Sequence, residues 1–383
     1  MSKVAYRICS RCVMDTSDPQ IVFDDEGVCD HCHRHAEVLA TAVFSGEEGQ
    51  RRLQPILDRI KREGRGKPYD CVIGVSGGVD STYTAWLAKE LGLRPLAVHL
   101  DNGWNSEIAV RNISNTIQRL GIDLYTHVID WEEFRDIQRA FLLASVADVE
   151  VPSDHAINSC LMQMAAKHGL NTVISGANPR TESHLPAAWS RGHWDYGYIH
   201  DVHRKFGTGR TKTYPHMSFA DYLSWRQCSL PMLDILSYVE FSREKALELI
   251  ERELGWRDYG GKHHESIFTR WYQGCYLPRK FGYDKRRSHL SSLISCGQLT
   301  REAALAELQP PPYDERLQDE DTNFVAKKLG FTRAELDAIM QAPPARFEDF
   351  HSYDKVFDSG PFKALRAVRR AVRNRTAAQP LTG

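Results

Sequence analysis

An apolar run breaks at a glycine pair and passes into a helical pattern over Asp70-Cys71-Val72-Ile73-Gly74-Val75-Ser76-Gly77-Gly78-Val79-Asp80-Ser81. Cys71 to Val75 reads as a buried strand, because a short continuous apolar run bounded by turn residues suits a strand covered on both faces. Gly77 and Gly78 permit a tight turn with backbone N–H groups facing outward. Asp80 and Ser81 then open a helix through Trp86 and Leu91. Strand, glycine turn and helix start in this order make a phosphate cradle, since the free N–H groups and dipole of a helix start attract anions. An ordinary glycine turn is the competing reading.

The turn is not a Walker A loop. It lacks the lysine and the longer glycine spacing that reach the outer phosphates of ATP, and offers the hydroxyls of Ser76 and Ser81 instead. Ser76-Gly77-Gly78-Val79-Asp80-Ser81 resembles the PP-loop of the N-type ATP pyrophosphatases, the superfamily of GMP synthetase, NAD synthetase, asparagine synthetase and the tRNA thiolases. The resemblance implies that these six residues bind ATP, holding the departing pyrophosphate while AMP is transferred to a substrate oxygen.

At 383 residues the chain can bury a full core over two or three domains. Its 49 basic residues balance 50 acidic ones, so nothing global argues for a nucleic-acid or membrane-surface partner. A hydrophobic content of 42% and mean hydropathy of -0.45 fit a soluble enzyme. No apolar run reaches membrane-spanning length, and the N-terminus lacks the apolar core of a signal peptide, so the expected location is cytoplasmic. Nine cysteines include two close pairs, a usage that favours metal over disulfides.

Those pairs are Cys9-Ser-Arg-Cys12 and Cys29-Asp-His-Cys32, separated by sixteen residues. Two such knuckles close a tetrahedral thiolate site on one zinc ion with no open position, which makes the site structural. Its binding would contribute about 10 to 16 kcal/mol to a segment too short for its own core. His31, His33 and His35 crowd the second knuckle; each could substitute as ligand, against a reading as solvated loop and helix start. Residues 36–66 read as a connecting helix with Leu53, Ile56, Leu57 and Ile60 on one face and a break at Gly64-Arg-Gly66.

From Asp70 onward strand and helix patterns alternate: strand Cys71 to Val75, helix to Leu91, strand Pro95 to Leu100, helix Glu107 to Leu120, strand Leu124 to Ile129, helix His155 to His168 and strand Thr172 to Ser175. This order predicts an α/β fold, a parallel twisted sheet with helices on both faces and ligands at the carboxyl ends of the strands. Three loops would converge there: Ser76 to Ser81, Asp101-Asn-Gly-Trp104 and Ser175-Gly176-Ala-Asn178-Pro-Arg180. Asp101 is a candidate for the nucleoside half of ATP or a plain turn former. Gly176 would let backbone approach phosphate, and Asn178 would donate to phosphate or adenine. The expected organisation is a zinc ribbon over 1–40, a linker helix over 41–68, a PP-loop pyrophosphatase domain over 69–240, a helical substrate or partner region over 241–345 and a basic tail over 346–383.

Leu185 to His216 is polar and aromatic without a clear period, and reads either as a lid or sugar-stacking wall or as a structured insertion. From Ser242 the pattern becomes helical, and two cationic clusters follow: Gly260-Gly-Lys262-His263-His264-Glu265-Ser266 with Arg270, and Arg279 to His289. In the second, five basic residues face one aspartate, enough for a diphosphate or carboxylate, although a charge run is commonly a solvated helix face.

Gly-Trp-Arg-Asp-Tyr-Gly-Gly-Lys-His over 255–263, Glu265-Ser-Ile-Phe-Thr-Arg270, Asp284-Lys-Arg-Arg with His289-Leu-Ser, Asp101-Asn-Gly-Trp104 and the opening Cys9-x-x-Cys-Val-Met-Asp15 together resemble the bacterial N-acetyl sugar amidotransferases. His264 departs from the aromatic residue expected there. The resemblance implies an adenine nucleotide alpha hydrolase-like fold and conversion of an acetamido group of a nucleotide-linked sugar to an acetamidino group, in pathways of surface polysaccharide such as O-antigen or of nonulosonic acids. An amide carbonyl resists ammonia, so its oxygen must first become a leaving group by adenylation. On resemblance and chemistry, Lys262 and Arg270 are candidates for charge stabilisation, His263 or Glu265 for proton transfer, and Asp80 for catalysis by holding Mg2+ on the pyrophosphate. Lys285, Arg286 and Arg287 would grip the sugar nucleotide or the ATP phosphates, with a structural ion-pair network as the competing reading.

The resemblance further implies separate partners, a glutaminase and an ammonia-channelling subunit similar to those of imidazole glycerol phosphate synthase. The ribbon or the tail could dock them; Lys363 to Arg375 carries six basic residues and no acids. Two rival functions are a tRNA 2-thiolation enzyme, which also pairs a zinc ribbon with a PP-loop, and a catalytically silent nucleotide-binding scaffold. The thiolase needs a reactive cysteine or an iron-sulfur cluster, and Cys71, Cys160, Cys228, Cys275 and Cys296 show no further paired spacing.

Overall fold

The computed structural model describes residues 5–227, 232–261, 264–358 and 360. Lys262, His263, Cys228 and the basic stretch 363–375 lie outside the described residues.

Strands β1 (Cys71–Gly74), β2 (Pro95–Asp101), β3 (Asp123–Val128), β4 (Val173–Ser175) and β5 (Met232–Asp234) form one sheet in the order β3-β2-β1-β4-β5. All four pairings are parallel, with Ile73 opposite both Ala97 and Ile174. Side chains alternate across the sheet. Val72, Leu96, Val98, Leu100 and Val173 enter one core, while Cys71, Ile73, Val75, Ala97, Ile174 and Leu233 enter the other. A sheet buried on both faces needs apolar residues at successive positions, which is why these strands read as continuous runs.

Among the described residues six helices precede β4: α1 (Asp30–Ala42), α2 (Gly46–Glu63), α3 (Val79–Glu90), α4 (Glu107–Leu120), α5 (Trp131–Leu143) and α6 (Val151–Lys167). Leu53, Leu57 and Ile60 of α2, Val79, Ala85 and Ala88 of α3, Ile113 of α4 and Ile250 of the helix Arg243–Leu254 cover one face. Phe134, Ile137 and Phe141 of α5 with Ala156, Cys160 and Leu161 of α6 cover the other. The parallel α/β class predicted from the alternation is therefore the one observed. Phe268, Trp271, Tyr272, Val325, Leu329 and Ile339 join the same core as α5 and α6, so the C-terminal helices pack directly against the sheet layer.

The connecting segment differs from the single helix expected over 36–66. It is two helices, α1 beginning inside the second cysteine knuckle and α2 restarting at Gly46. The break falls where the Phe44 N–H leaves the helical ladder to donate to the Ser237 carbonyl at 2.7 Å. The segment 185–216 is a structured insertion in which Trp189, Tyr198 and Tyr214 are buried and Tyr196–Phe206 is helical, while Leu185, Ser190 and His193 line the main cavity. Among the described residues no helix is long and apolar enough to cross a membrane.

Candidate active site

Strand order reverses beside β1, and in open parallel sheets ligands bind at the carboxyl ends of the strands at such a switch. The glycine turn lies there. Gly77 adopts φ 80°, and a Cβ at that position would stand 2.6 Å from the Ala109 carbonyl oxygen of α4. The Gly77 carbonyl accepts from Trp256 Nε1 at 2.9 Å, which fixes the turn from the other side. Ser81 Oγ lies 3.1 Å from Ser76 Oγ and donates to the Gly78 carbonyl at 3.2 Å. Gly78 caps α3 with no side-chain acceptor, leaving first-turn N–H groups for an anion. The residues present thus fit a pyrophosphate.

The other predicted nucleotide residues take different positions. A Cβ on Gly176 would lie 3.3 Å from the Ser81 nitrogen, so the second loop backs closely onto the start of α3. Asn178 is 1% exposed and its Oδ1 accepts from the Arg180 N–H at 3.1 Å, while its Nδ2 is buried without a partner. Asp101 Oδ1 accepts from the Gly103 N–H at 2.9 Å, the geometry of a turn former.

The segment after Trp256 folds over the cradle. Asn112 of α4 accepts from the Arg257 N–H and donates to its carbonyl, both at 2.9 Å. The Ser106 N–H donates to the Glu265 carbonyl at 2.7 Å, and the Ile267 N–H to the Trp104 carbonyl at 3.0 Å. These contacts bring Tyr259 and Glu265 over the turn: a Cβ on Gly78 would lie 3.4 Å from the Tyr259 hydroxyl and 3.6 Å from Glu265 Oε1. Burial, then the Glu265 carboxylate, pushes the Tyr259 phenol up, and Asp80 adds to the shift.

A cavity of about 640 Å³ extends from Ser76 and Ser81, past Glu265, to Lys285, Arg286, Glu150 and His193. Its far end is a charged recess that sequence reasoning did not assemble. Burial raises the Glu150 carboxyl to about 7, with the Lys285 ammonium opposing the rise and Asp154 adding to it. Thr269 donates to Glu150. Burial alone would lower His193, yet Asp148 at 3.0 Å and Asp154 at 3.5 Å outweigh it and raise the imidazole to about 9. The recess is framed by a π-turn over Tyr272–Tyr276, an irregularity frequent at functional sites, and Lys285 Nζ sits 5.1 Å from the Tyr272 ring centroid.

Of the predicted cations, Lys285 and Arg286 line the cavity. Arg286 is also held by Asp284 at 2.7 Å. Arg270 and Arg287 are engaged elsewhere. Arg270 makes a two-point pair with Asp321 at 2.7 and 2.8 Å, and Arg287 pairs with Asp15 at 3.0 Å and donates to the Val13 carbonyl at 2.9 Å. Both guanidiniums therefore act as braces, one among the C-terminal helices and one clamping the ribbon. For Arg287 this is the structural ion-pair alternative given with Lys285 and Arg286; Arg270, a candidate for charge stabilisation, is instead committed to Asp321.

In the ribbon, Cys9, Cys12, Cys29 and Cys32 bring their sulfurs within 4.8 Å of one another. The closest pairs are 3.7 to 3.9 Å apart, against an edge of about 3.8 Å for a tetrahedron with 2.3 Å zinc-sulfur bonds. Backbone N–H groups of Arg11, Cys12 and Cys29 point at Cys9 Sγ at 3.2 to 3.4 Å, as suits a thiolate. The donor set fits zinc. The neighbouring histidines are not ligands: His31 Nε2 bonds Asp18 at 2.7 Å, and His35 is fully buried with its ring edge-on to His184. His33 is exposed and bonds Asp24 at 2.8 Å.

A family model described as LPS biosynthesis protein WbpG-like, C-terminal domain, matches residues 265–367. No curated protein matches the chain in sequence. Among solved structures, an NH3-dependent NAD synthetase from Campylobacter jejuni is similar at 15% identity over 78% of this chain and 98% of that one, with a TM-score of 0.31. An NMN synthetase from Francisella tularensis is similar at 18% identity over 57% of this chain and 96% of that one, with a TM-score of 0.28. A glutamine-dependent NAD+ synthetase from Acinetobacter baumannii shares 16% identity over 76% of this chain and 44% of that one, with a TM-score of 0.29.

Proposed function

We propose that this chain is an ATP-dependent, AMP-forming amidotransferase that converts the acetamido group of a nucleotide-linked N-acetyl sugar to an acetamidino group, serving surface glycan synthesis. The observation that carries the reading is the docking of Trp256, Arg257, Tyr259, Glu265 and Ile267 around the glycine turn and the start of α4. It joins the phosphate cradle and the stretch matching the WbpG-like family model into one cavity.

In this reading the cradle of Ser76, Gly77, Gly78, Val79 and Ser81 takes the β and γ phosphates, and Asp80 is the residue that would hold Mg2+ there. The acetamido oxygen attacks the α-phosphorus, the bond to the bridging oxygen breaks, and pyrophosphate leaves. Ammonia then adds to the activated carbon, the carbon-oxygen bond breaks, and AMP departs with the former acetamido oxygen. Glu265 or Glu150 takes the proton that ammonia loses, and His263 remains a candidate for the same role. Lys262 and Lys285 support the negative charge that develops on phosphate, while Arg286 grips the sugar nucleotide. The zinc ribbon is structural. Ammonia comes from separate glutaminase and channelling subunits in the cytoplasm.

The described non-ribbon cysteines suit sulfur transfer poorly. Burial pushes Cys160 up to about 12 and raises Cys71 and Cys275 as well, which keeps these thiols protonated. The test is AMP and pyrophosphate release with Mg-ATP and ammonium across a panel of nucleotide-linked N-acetyl sugars. AMP that depends on one sugar, with a product lighter by about one mass unit as NH replaces O, supports the proposal. AMP that appears instead with tRNA and a sulfur donor refutes it.

A further inference from the structure

The helix Lys285–Ser295 has two working faces. Lys285, Ser288 and His289 line the main cavity together with Arg286. Residues three and four apart share one side of a helix, so Arg287 and Ser291 point another way. Both meet the ribbon. Arg287 Nη1 donates to the Val13 carbonyl at 2.9 Å and its Nε pairs with Asp15 at 3.0 Å. The buried Ser291 Oγ accepts from the Val13 N–H at 3.2 Å. From the next helix, Arg301–Glu307, Arg301 donates to the Cys12 and Cys9 carbonyls, both at 3.0 Å. A second part of the cavity wall has the same footing. Trp189 is buried in one cluster with Cys9, Cys12, Cys29 and Cys32, and its ring stacks on Tyr283 with centroids 5.2 Å apart. Tyr283 leads into Asp284, which caps the helix Lys285–Ser295 at the Arg286 N–H, while Ser190 and His193, just past Trp189, line the recess.

We infer that the ribbon is the footing that sets the sugar-binding wall of the cavity, with Arg287, Ser291 and Arg301 as positioning residues. The inference rests on the amidotransferase reading, in which Arg286 grips the sugar nucleotide from this wall. The ribbon's own core is its four cysteines with Met14, so closure of the thiolate site on a metal is what makes it rigid. The carbonyls that Arg301 binds belong to Cys9 and Cys12 themselves, so that closure fixes where the guanidinium finds its acceptors. The phosphate cradle is held separately, by α4 and by Trp256. The ribbon therefore governs the sugar half of the cavity and leaves the ATP half alone.

The test cuts the footing without touching the cavity. Arg301→Met removes both bonds to the knuckle, and Arg287→Met with Asp15→Asn removes the ion pair without stranding a buried carboxylate. Arg301→Lys, which keeps the charge but not the two-point reach, stands in where Arg301→Met does not fold. Each variant is checked for zinc content and native circular dichroism. Three readouts follow: hydrogen exchange over 285–295, calorimetric titration with Mg-ATP, and half-saturation by whichever nucleotide-linked N-acetyl sugar of the panel above releases AMP. The folded, zinc-loaded variants should exchange faster over 285–295 and need about tenfold more sugar, as for loss of one hydrogen bond to a charged group, with Mg-ATP affinity unchanged. Wild type stripped of zinc should show the same faster exchange and the same unchanged Mg-ATP affinity. Sugar and ATP weakened together would mark a merely structural role and overturn the inference, as would an unchanged sugar requirement in a folded variant. If no sugar of the panel releases AMP, the amidotransferase reading falls. Exchange then decides the footing by itself: unchanged protection over 285–295 in the variants and the zinc-free protein overturns it.

Discussion

Replacing Gly77 by alanine separates what the turn needs from what any glycine needs. At φ 80° an L-residue carries a left-handed cost of about 1–2 kcal/mol. The added Cβ would also meet the Ala109 carbonyl oxygen at 2.6 Å, closer than side chains tolerate. That oxygen cannot retreat easily, because Ala109 lies in the first turn of α4, capped by Ser106. The turn cannot retreat the other way without stretching the Trp256 Nε1 bond to the Gly77 carbonyl. The loop must therefore shift, and strain plus lost contacts come to about 3 kcal/mol, or roughly a hundredfold in ATP affinity. Gly66 supplies the control. It has φ 78° but nothing within 4 Å of its would-be Cβ, so Gly66→Ala should cost only about 1 kcal/mol of stability and leave ATP binding alone. Isothermal titration with Mg-ATP, beside thermal melts of both variants, measures the contrast. Equal ATP affinity in Gly77→Ala and wild type would refute the close-approach reasoning.

Other outcomes follow from the same geometry. Arg270→Ala strands the buried Asp321 and should lower stability by about 3 kcal/mol, whereas the double variant Arg270→Met with Asp321→Leu recovers most of it; chemical denaturation of the set decides. Cys12→Ser, or chelation, should release zinc and loosen residues 5–40 in hydrogen exchange, while the cradle keeps its protection. The His193 imidazole, raised from 6.5 to about 9, contributes stability that is fully present below pH 6.5 and lost as pH rises through 9. The shift is worth about 3 kcal/mol, so His193→Gln should flatten stability over that window in denaturant titrations at several pH values.

The parts legible in sequence are those whose signal is local. β1, β2 and α4 announced themselves by apolar runs and a 3.6-residue period, and the cradle by its glycines. The zinc knuckles need only spacing. Helix α5 carries an amphipathic pattern in Phe134, Ile137 and Phe141, but its polar neighbours Glu132, Glu133, Arg135 and Asp136 dilute it. β5 is three residues long, too short for any period. The recess was out of reach for a different reason: Asp148, Glu150, His193 and Lys285 converge only through the packing of α6, the π-turn and the helix Lys285–Ser295. The same holds for Arg270 and Arg287, whose partners Asp321 and Asp15 sit far along the chain, so local charge clustering suggested a binding role.

The proposed reaction turns on adenylation of the acetamido oxygen itself. A nucleotide-linked N-acetyl sugar labelled with heavy oxygen in its acetamido carbonyl, incubated with the protein, Mg-ATP and ammonium, tests this in one mass spectrum. AMP should carry the label in its phosphate, and the amidine product should carry none there. Amidine accompanied by unlabelled AMP would contradict it, because the oxygen would then have left without ever being joined to phosphorus.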